Sequence, residues 1–236
     1  MTNMTPDSIA SSRFPREPGP FARRLRGTGV AGVIIILVVI GATVVGGPLL
    51  GGVVVLLWAW YTKLPWRDLG FIRPKRWAVT VIGGIVAGVA FKLLMKAVVM
   101  RLLGAPDINA RYHYLAHNTA ALPGMLLMVI VSAGFAEEII ARGFFFERLE
   151  RLLGRSRAAR VAIVLVTSAL FALAHLRDQH WPGATQAFIL GLVVGTYFAI
   201  RRNLWTLIVW HMAFDICAVF LVYFDLETTV ARAIFH

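Results

Sequence analysis

Long apolar runs recur along this chain, and short segments carrying most of its arginines separate them. A helix needs about 20 apolar residues to cross the roughly 30 Å hydrocarbon layer of a bilayer. The runs are Val30–Tyr61, 78–103, 121–146, 158–176, 184–200 and 204–224. The first is interrupted by Gly46, Gly47 and Pro48. A chain built this way has to fold as a bundle of helices in lipid, because only helices or closed barrels satisfy their backbone groups there. With 58% hydrophobic and 15% charged residues in 236, it has too little polar surface to cover a soluble globule. Disorder of the bulk is excluded by the same numbers. A single cysteine excludes an intrachain disulfide framework and any multi-thiolate metal site.

Charge sets the topology. Of the 24 Lys and Arg, seventeen fall in four blocks. These are the N-terminal tail, the segment 62–77, the segment 147–160, and Arg201 with Arg202. Seven spans with the N-terminus in the cytoplasm put all four blocks inside, as the positive-inside rule requires; six spans would split the first two. The net charge of +12 is therefore read as a membrane signature and not as a nucleic-acid surface. The expected fold is an all-α polytopic membrane protein with about seven transmembrane helices, in a bacterial plasma membrane. Residues 1–28, rich in Ser, Pro, Gly and Arg, are expected to be a disordered basic cytoplasmic tail. Residues 29–236 form the membrane domain. The tail is too long for a signal-peptide n-region and no small-residue cleavage site follows the first run. Trp58, Trp60, Trp66, Trp77, Trp181 and Trp205 fall near span ends, where indole rings anchor. Gly47/Gly51, Gly84/Gly88 and Gly191/Gly195 have the spacing that lets membrane helices approach closely.

The informative residues are ionisable groups inside the runs, where a charge costs at least about 2.5–3.5 kcal/mol. Glu137, Glu138 and Arg142 lie in the fourth span, Phe171 and His175 in the fifth, and His211 and Asp215 in the seventh; Lys92 and Lys96 lie in the third. At 1.5 Å per residue, Glu137 is roughly 15 Å, His175 roughly 22 Å and His211 roughly 13 Å from the nearest basic block. Three helices thus bring a carboxylate and two imidazoles to similar depth, and a shared polar cavity is their natural home. Glu138 and Arg142, four apart, are spaced for an ion pair, which frees Glu137 to face elsewhere. A poorly solvated carboxylate takes a proton from water readily, His175 can relay it, and His211 can donate to an oxyanion. The same groups would also serve a proton-coupled transporter. Ser132 and Ser168 lie in spans but in no GxSxG elbow, and no HExxH occurs. A Glu/His/His set can still bind a metal. His113 and His117 read as surface residues, and Cys217 as a small filler.

The patterns EExxxR (Glu137 to Arg142), FxxxH (Phe171 to His175) and HxxxD (His211 to Asp215) resemble, in order and spacing, the CAAX protease and bacteriocin-processing family, also called the Abi family. It includes the Ras and a-factor converting enzyme. The stretch from Trp66 to Trp77 is similar to one that often precedes the core in bacterial members, and the motif core runs from about 123 to 220. The resemblance implies an intramembrane endopeptidase acting on a membrane-associated peptide or protein. Glu137 and His175 would activate water, His211 and Asp215 would form the oxyanion side, and Glu138, Arg142 and Phe171 would support them. Many bacterial members are labelled metalloproteases, which leaves zinc open, with Glu137, His175 and His211 as its ligands. Position 215 is Asp where the eukaryotic branch has Asn. An ionised Asp cannot donate a hydrogen bond, so Asp215 is expected to orient His211. A non-catalytic immunity or scaffold member is the remaining alternative. The site is expected to be approached from the cytoplasmic side.

Overall fold

The computed structural model describes residues 18–235. The regular structure among those residues is all helical, without a strand. A short helix α1 (Pro20–Arg26) precedes five helices long and apolar enough to cross a membrane. These are α2 (Val30–Tyr61), α3 (Trp77–Leu102), α4 (Leu122–Leu153), α5 (Arg157–Arg201) and α6 (Leu204–Tyr223). A short helix α7 (Glu227–Ala231) follows.

Two of the five are not single rods. In α2, Gly47 leaves the helical region at φ 72°, ψ 178°, and in α5 His180 does so at φ 54°, ψ −165°. Past each break the chain doubles back. A Cβ added at Gly51 would meet the Thr43 side chain, and one at Gly191 would lie 3.0 Å from the Ser168 Cα. Along an unbroken helix the second pair would stand roughly 35 Å apart. Gly47 followed by Pro48 makes the first reversal easy, since glycine adopts positive φ freely and proline cannot continue the preceding hydrogen-bond ladder. His180 has a Cβ and pays strain at the second, with Pro182 two residues on.

The glycine pairs sit where helices touch. Cβ atoms at Gly84 and Gly88 would fall 2.8 Å from Val209 Cγ1 and 2.3 Å from the Trp210 carbonyl oxygen, so α3 packs against α6 backbone to backbone. Gly52 meets Ala136, which seats α2 on α4. The most enclosed helices are α4 and α6, each half buried over its apolar window, against 11% for α2. The polar side chains named above ride on the inner helices.

The expected tail is structured from Pro20 onward; residues 1–17 lie outside the described residues. α1 has no side-chain cap, and its terminal carbonyls are bonded by a distant residue. Arg148 donates to Leu25, Arg26 and Gly27 carbonyls at 3.4, 2.9 and 3.2 Å, and the Trp58 indole donates to Leu25. The Arg148 guanidinium also stacks 4.8 Å from the Trp58 ring. Composition alone could not reveal this dock, because its donor lies over a hundred residues away.

Candidate active site

The backbone of α4 is widened where its charges lie. Met128–Glu137 and Ile139–Phe144 follow the π-helical pattern, a form that concentrates at functional sites. Glu138 and Arg142 remain in contact: Arg142 Nη1 donates to Glu138 Oε1 at 3.0 Å, with both side chains sealed from solvent. The expected pair is therefore present. The Phe171 ring covers the guanidinium at 4.7 Å and lies edge-on to the His211 ring at 6.0 Å.

His211 joins this cluster in a way that spacing along one helix does not reveal. Its Nδ1 is 2.8 Å from Glu138 Oε1, the same oxygen that Arg142 holds. With a cation bonded to it, Glu138 acts as acceptor and the imidazole donates. The other nitrogen, Nε2, is 3.5 Å from Asp215 Oδ2, beyond hydrogen-bond length but within ion-pair range. Two carboxylates from different helices thus bracket one ring. His175 is fixed by its own helix. Its Nδ1 is 2.8 Å from the Phe171 carbonyl. A carbonyl only accepts, so Nδ1 carries the proton and Nε2 of the neutral ring is left with a lone pair.

Glu137, His175, His211 and Asp215 line one cavity of about 150 Å³. That is room for several waters, each needing on the order of 10–15 Å³ by this measure. Glu137 Oε2 is buried and takes no hydrogen bond from protein. Its neighbour Glu138 faces the other way, into the Arg142 and His211 contacts. Consecutive carboxylates therefore have separate surroundings: Glu138 Oε1 is held by Arg142 and His211 while its Oε2, like that of Glu137, takes no hydrogen bond from protein, and Glu137 is the one that lines the cavity.

The cavity reaches away from the arginine-rich segments. Its far wall includes Asn109, Tyr112, Gln179 and Glu227, which belong to the loop after α3, the end of the first leg of α5, and α7. That is the face opposite the segments 62–76 and 154–157. The expected approach from the end with the basic segments does not match this lining: that end is closed by Glu138, Arg142 and the packed aromatic residues around them. Burial holds the Tyr112 phenol above its ordinary value, so it stays protonated at the rim and receives Gln179 Nε2 at 3.4 Å.

Other candidates are accounted for. The Ser168 hydroxyl donates to the Val164 carbonyl at 2.7 Å within its own helix, so it is no nucleophile. His113 and His117 are exposed in the loop after α3. Lys96 pairs with Glu227 at 2.9 Å and also reaches the Asp107 carbonyl. Among the described residues, no three His, Cys, Asp or Glu side chains are grouped to hold a metal ion. His175, its Nδ1 tied to backbone, keeps Nε2 available as a metal-ligating imidazole does, whereas His211 has a carboxylate facing each ring nitrogen and offers a zinc ion no free one in this arrangement.

Residues 119–217 match the family model described as type II CAAX prenyl endopeptidase Rce1-like. Over that stretch, less than half of the chain, the sequence is similar to the CAAX protease family. The matched stretch contains every residue of the three motifs. No curated protein and no solved structure matches the chain. Sequence reasoning missed the Glu138–His211 bond and the direction in which the cavity opens.

Proposed function

We propose that the protein is an intramembrane endopeptidase that hydrolyses a peptide bond of a membrane-associated peptide or protein. The observation that carries this reading is the unshared Glu137 Oε2, buried on the wall of the cavity that also holds the lone pair of His175. A carboxylate so placed is a general base awaiting a water.

Glu137 takes a proton from water, and His175 Nε2 accepts the hydrogen bond that orients it. The water oxygen attacks the carbonyl carbon, and the carbonyl electrons move onto oxygen. His211 faces that oxyanion. Glu138 and Asp215 flank both of its nitrogens, which favours a ring carrying two protons and leaves Nε2–H as donor. When the tetrahedral intermediate collapses, the C–N bond breaks and Glu137 returns its proton to the departing amine. Asp215 orients His211, and Arg142 with Phe171 fixes Glu138. No step runs through a metal.

On this reading the chain crosses the bilayer seven times. The hairpins at Gly47 and His180 turn α2 and α5 into two legs each. All four basic blocks then share one face, the cytoplasmic one by the positive-inside rule, and the cavity opens on the other. The breaks lie at hairpin ends and not within a crossing, so they do not supply the discontinuous helices of a transporter.

The test is a comparison of peptides released from membranes carrying the wild-type protein or Glu137→Gln. A peptide whose release stops in the variant is expected. Identical peptide profiles at equal protein levels would refute the assignment.

A further inference from the structure

The stretch from Trp66 to Trp77 lies outside the stretch matched by the family model and has no part in the chemistry above. It sits at the end of the bundle away from the mouth of the cavity, and its first half is pinned to the helices. Leu69 is fully buried, Gly70 turns the chain at φ 91°, and the Gly70 carbonyl accepts from the Leu204 N–H at 2.9 Å. Asn203 Nδ2 donates to the Ile72 carbonyl at 3.4 Å. The aromatic rings then meet edge to face: Trp66 on Phe71 at 6.0 Å, Phe71 on Trp205 at 5.3 Å, and Trp77 on Trp205 at 5.5 Å. Such contacts hold each ring in place.

These rings, with Leu56 and Arg73, line a groove of about 440 Å³. Trp77 opens α3, Trp205 stands second in α6, and Leu56 lies near the end of α2. The groove therefore lies where three apolar helices end, at the level of lipid headgroups. Two features separate it from an ordinary belt of interfacial rings. The first is a set of unspent donors. Among the described residues the indole N–H groups of Trp66, Trp77 and Trp205 meet no protein acceptor, whereas that of Trp58 does. Arg73 is exposed and makes no ion pair, hydrogen bond or ring contact there. The second is the absence of a carboxylate from the lining. Asp68, the one acid between residues 62 and 77, is not part of it. Glu147 is held by Arg148 and Arg151, and Glu150 by Arg155 and Arg202.

The groove thus offers donors and positive charge beside apolar surface, and no side chain that accepts. Its complement is a molecule with an acceptor-rich anion at one end and hydrocarbon at the other. A phospholipid with a net negative head has this form: a phosphate for Arg73, phosphate and ester oxygens for the indoles, and an acyl chain to lie along Leu56. Indole rings alone would also suit a quaternary ammonium, but Arg73 repels that cation. We infer that Arg73 and the rings of Trp66, Phe71, Trp77 and Trp205 bind the head and upper chain of one anionic phospholipid. Basic pockets between helix ends take such heads. The inference needs the membrane fold and not the peptidase reading.

In the test, the full chain in detergent micelles receives equimolar phosphatidylglycerol and phosphatidylcholine with the same acyl chains. Bound lipid is counted by native mass spectrometry. Wild type is expected to retain one phosphatidylglycerol about fivefold over phosphatidylcholine, the value of one basic side chain near a lipid head. Arg73→Gln should bring that ratio to about one with Tm unchanged, and Arg73→Lys should keep most of it. Trp77→Leu should lower retention of phosphatidylglycerol. Arg157→Gln, which removes an exposed charge from the same face but away from the groove, should match wild type. Excess glycerol phosphate should leave the lipid in place. Glu137→Gln should bind lipid as wild type does while cleavage is lost, so the two readings fail separately. Equal retention of the two lipids by wild type, or the same ratio in wild type and Arg73→Gln, overturns the site. An equal fall in Arg157→Gln overturns it in favour of a diffuse basic surface, and displacement by glycerol phosphate overturns it in favour of a free phosphate.

Discussion

Glu138 receives two donors on one oxygen, and its neighbour Glu137 receives none on Oε2. The two carboxylates should therefore fail differently. Glu138→Gln leaves the sealed Arg142 guanidinium without its anion, and breaking a buried pair in this way costs about 3–5 kcal/mol. A large fall in Tm in detergent or liposomes is expected, with loss of activity following from it. Glu137→Gln removes a group that protein does not hold, so Tm should stay within a degree or two while cleavage is lost. If the two variants melt alike, the separation of structural and chemical roles is wrong. The i, i+4 spacings announced Glu138–Arg142 and placed His211 beside Asp215, because neighbours on one helix are fixed by its period. The bond from His211 to Glu138 joins residues 73 positions apart on different helices, and no local period encodes it.

Between elements, close approach decides the geometry. Gly88 and Gly83 lie five residues apart on different faces of α3, and a Cβ at Gly88 would strike the Trp210 carbonyl while one at Gly83 meets nothing within 4 Å. Gly88→Ala should destabilise by about 1–3 kcal/mol through overpacking and shift α6, which carries His211. Gly83→Ala should be neutral or slightly stabilising, since glycine weakens a helix interior. Paired melting curves distinguish these outcomes, and equal effects would contradict the packing of α3 on α6. The turn at His180 gives the opposite sign. Its backbone stores on the order of 1–3 kcal/mol that glycine would release, against a glycine entropy cost of about 0.5–1 kcal/mol. His180→Gly should therefore raise Tm, and a lower Tm would show that the side chain is needed at the turn. The first reversal was legible in Gly46-Gly47-Pro48. The second showed only as a gap between two apolar runs, because histidine is not a residue that announces positive φ.

At the level of the whole molecule, the alternation of apolar runs and arginine blocks carried the all-helical membrane fold, since both follow from transfer energies that composition reports directly. Depth along each helix could also be measured from the sequence, and it brought Glu137, His175 and His211 together. The direction of the cavity could not, because depth says nothing about which end of a bundle is filled by side chains. The proposed seven-crossing topology, with hairpins at Gly47 and His180, puts Arg24, Lys75 and Arg155 on one face and Tyr114 on the other. Single cysteines at these exposed positions, in a Cys217→Ser background, should react with an impermeant thiol reagent accordingly. In intact cells the Tyr114→Cys variant is labelled and the other three are not. Labelling of Arg24→Cys together with Tyr114→Cys would mean that α2 crosses as one rod.

The central claim is that Glu137, His175 and His211 work as one unit in one wet hollow. Groups acting as a unit show non-additive losses when removed together. The decisive measurement is the cleavage rate of the full chain in liposomes for Glu137→Gln, His175→Gln, His211→Gln and the triple variant. The account predicts that the triple variant is no slower than Glu137→Gln alone. Losses that multiply from variant to variant, or a Glu137→Gln protein that cleaves at the wild-type rate, would contradict it.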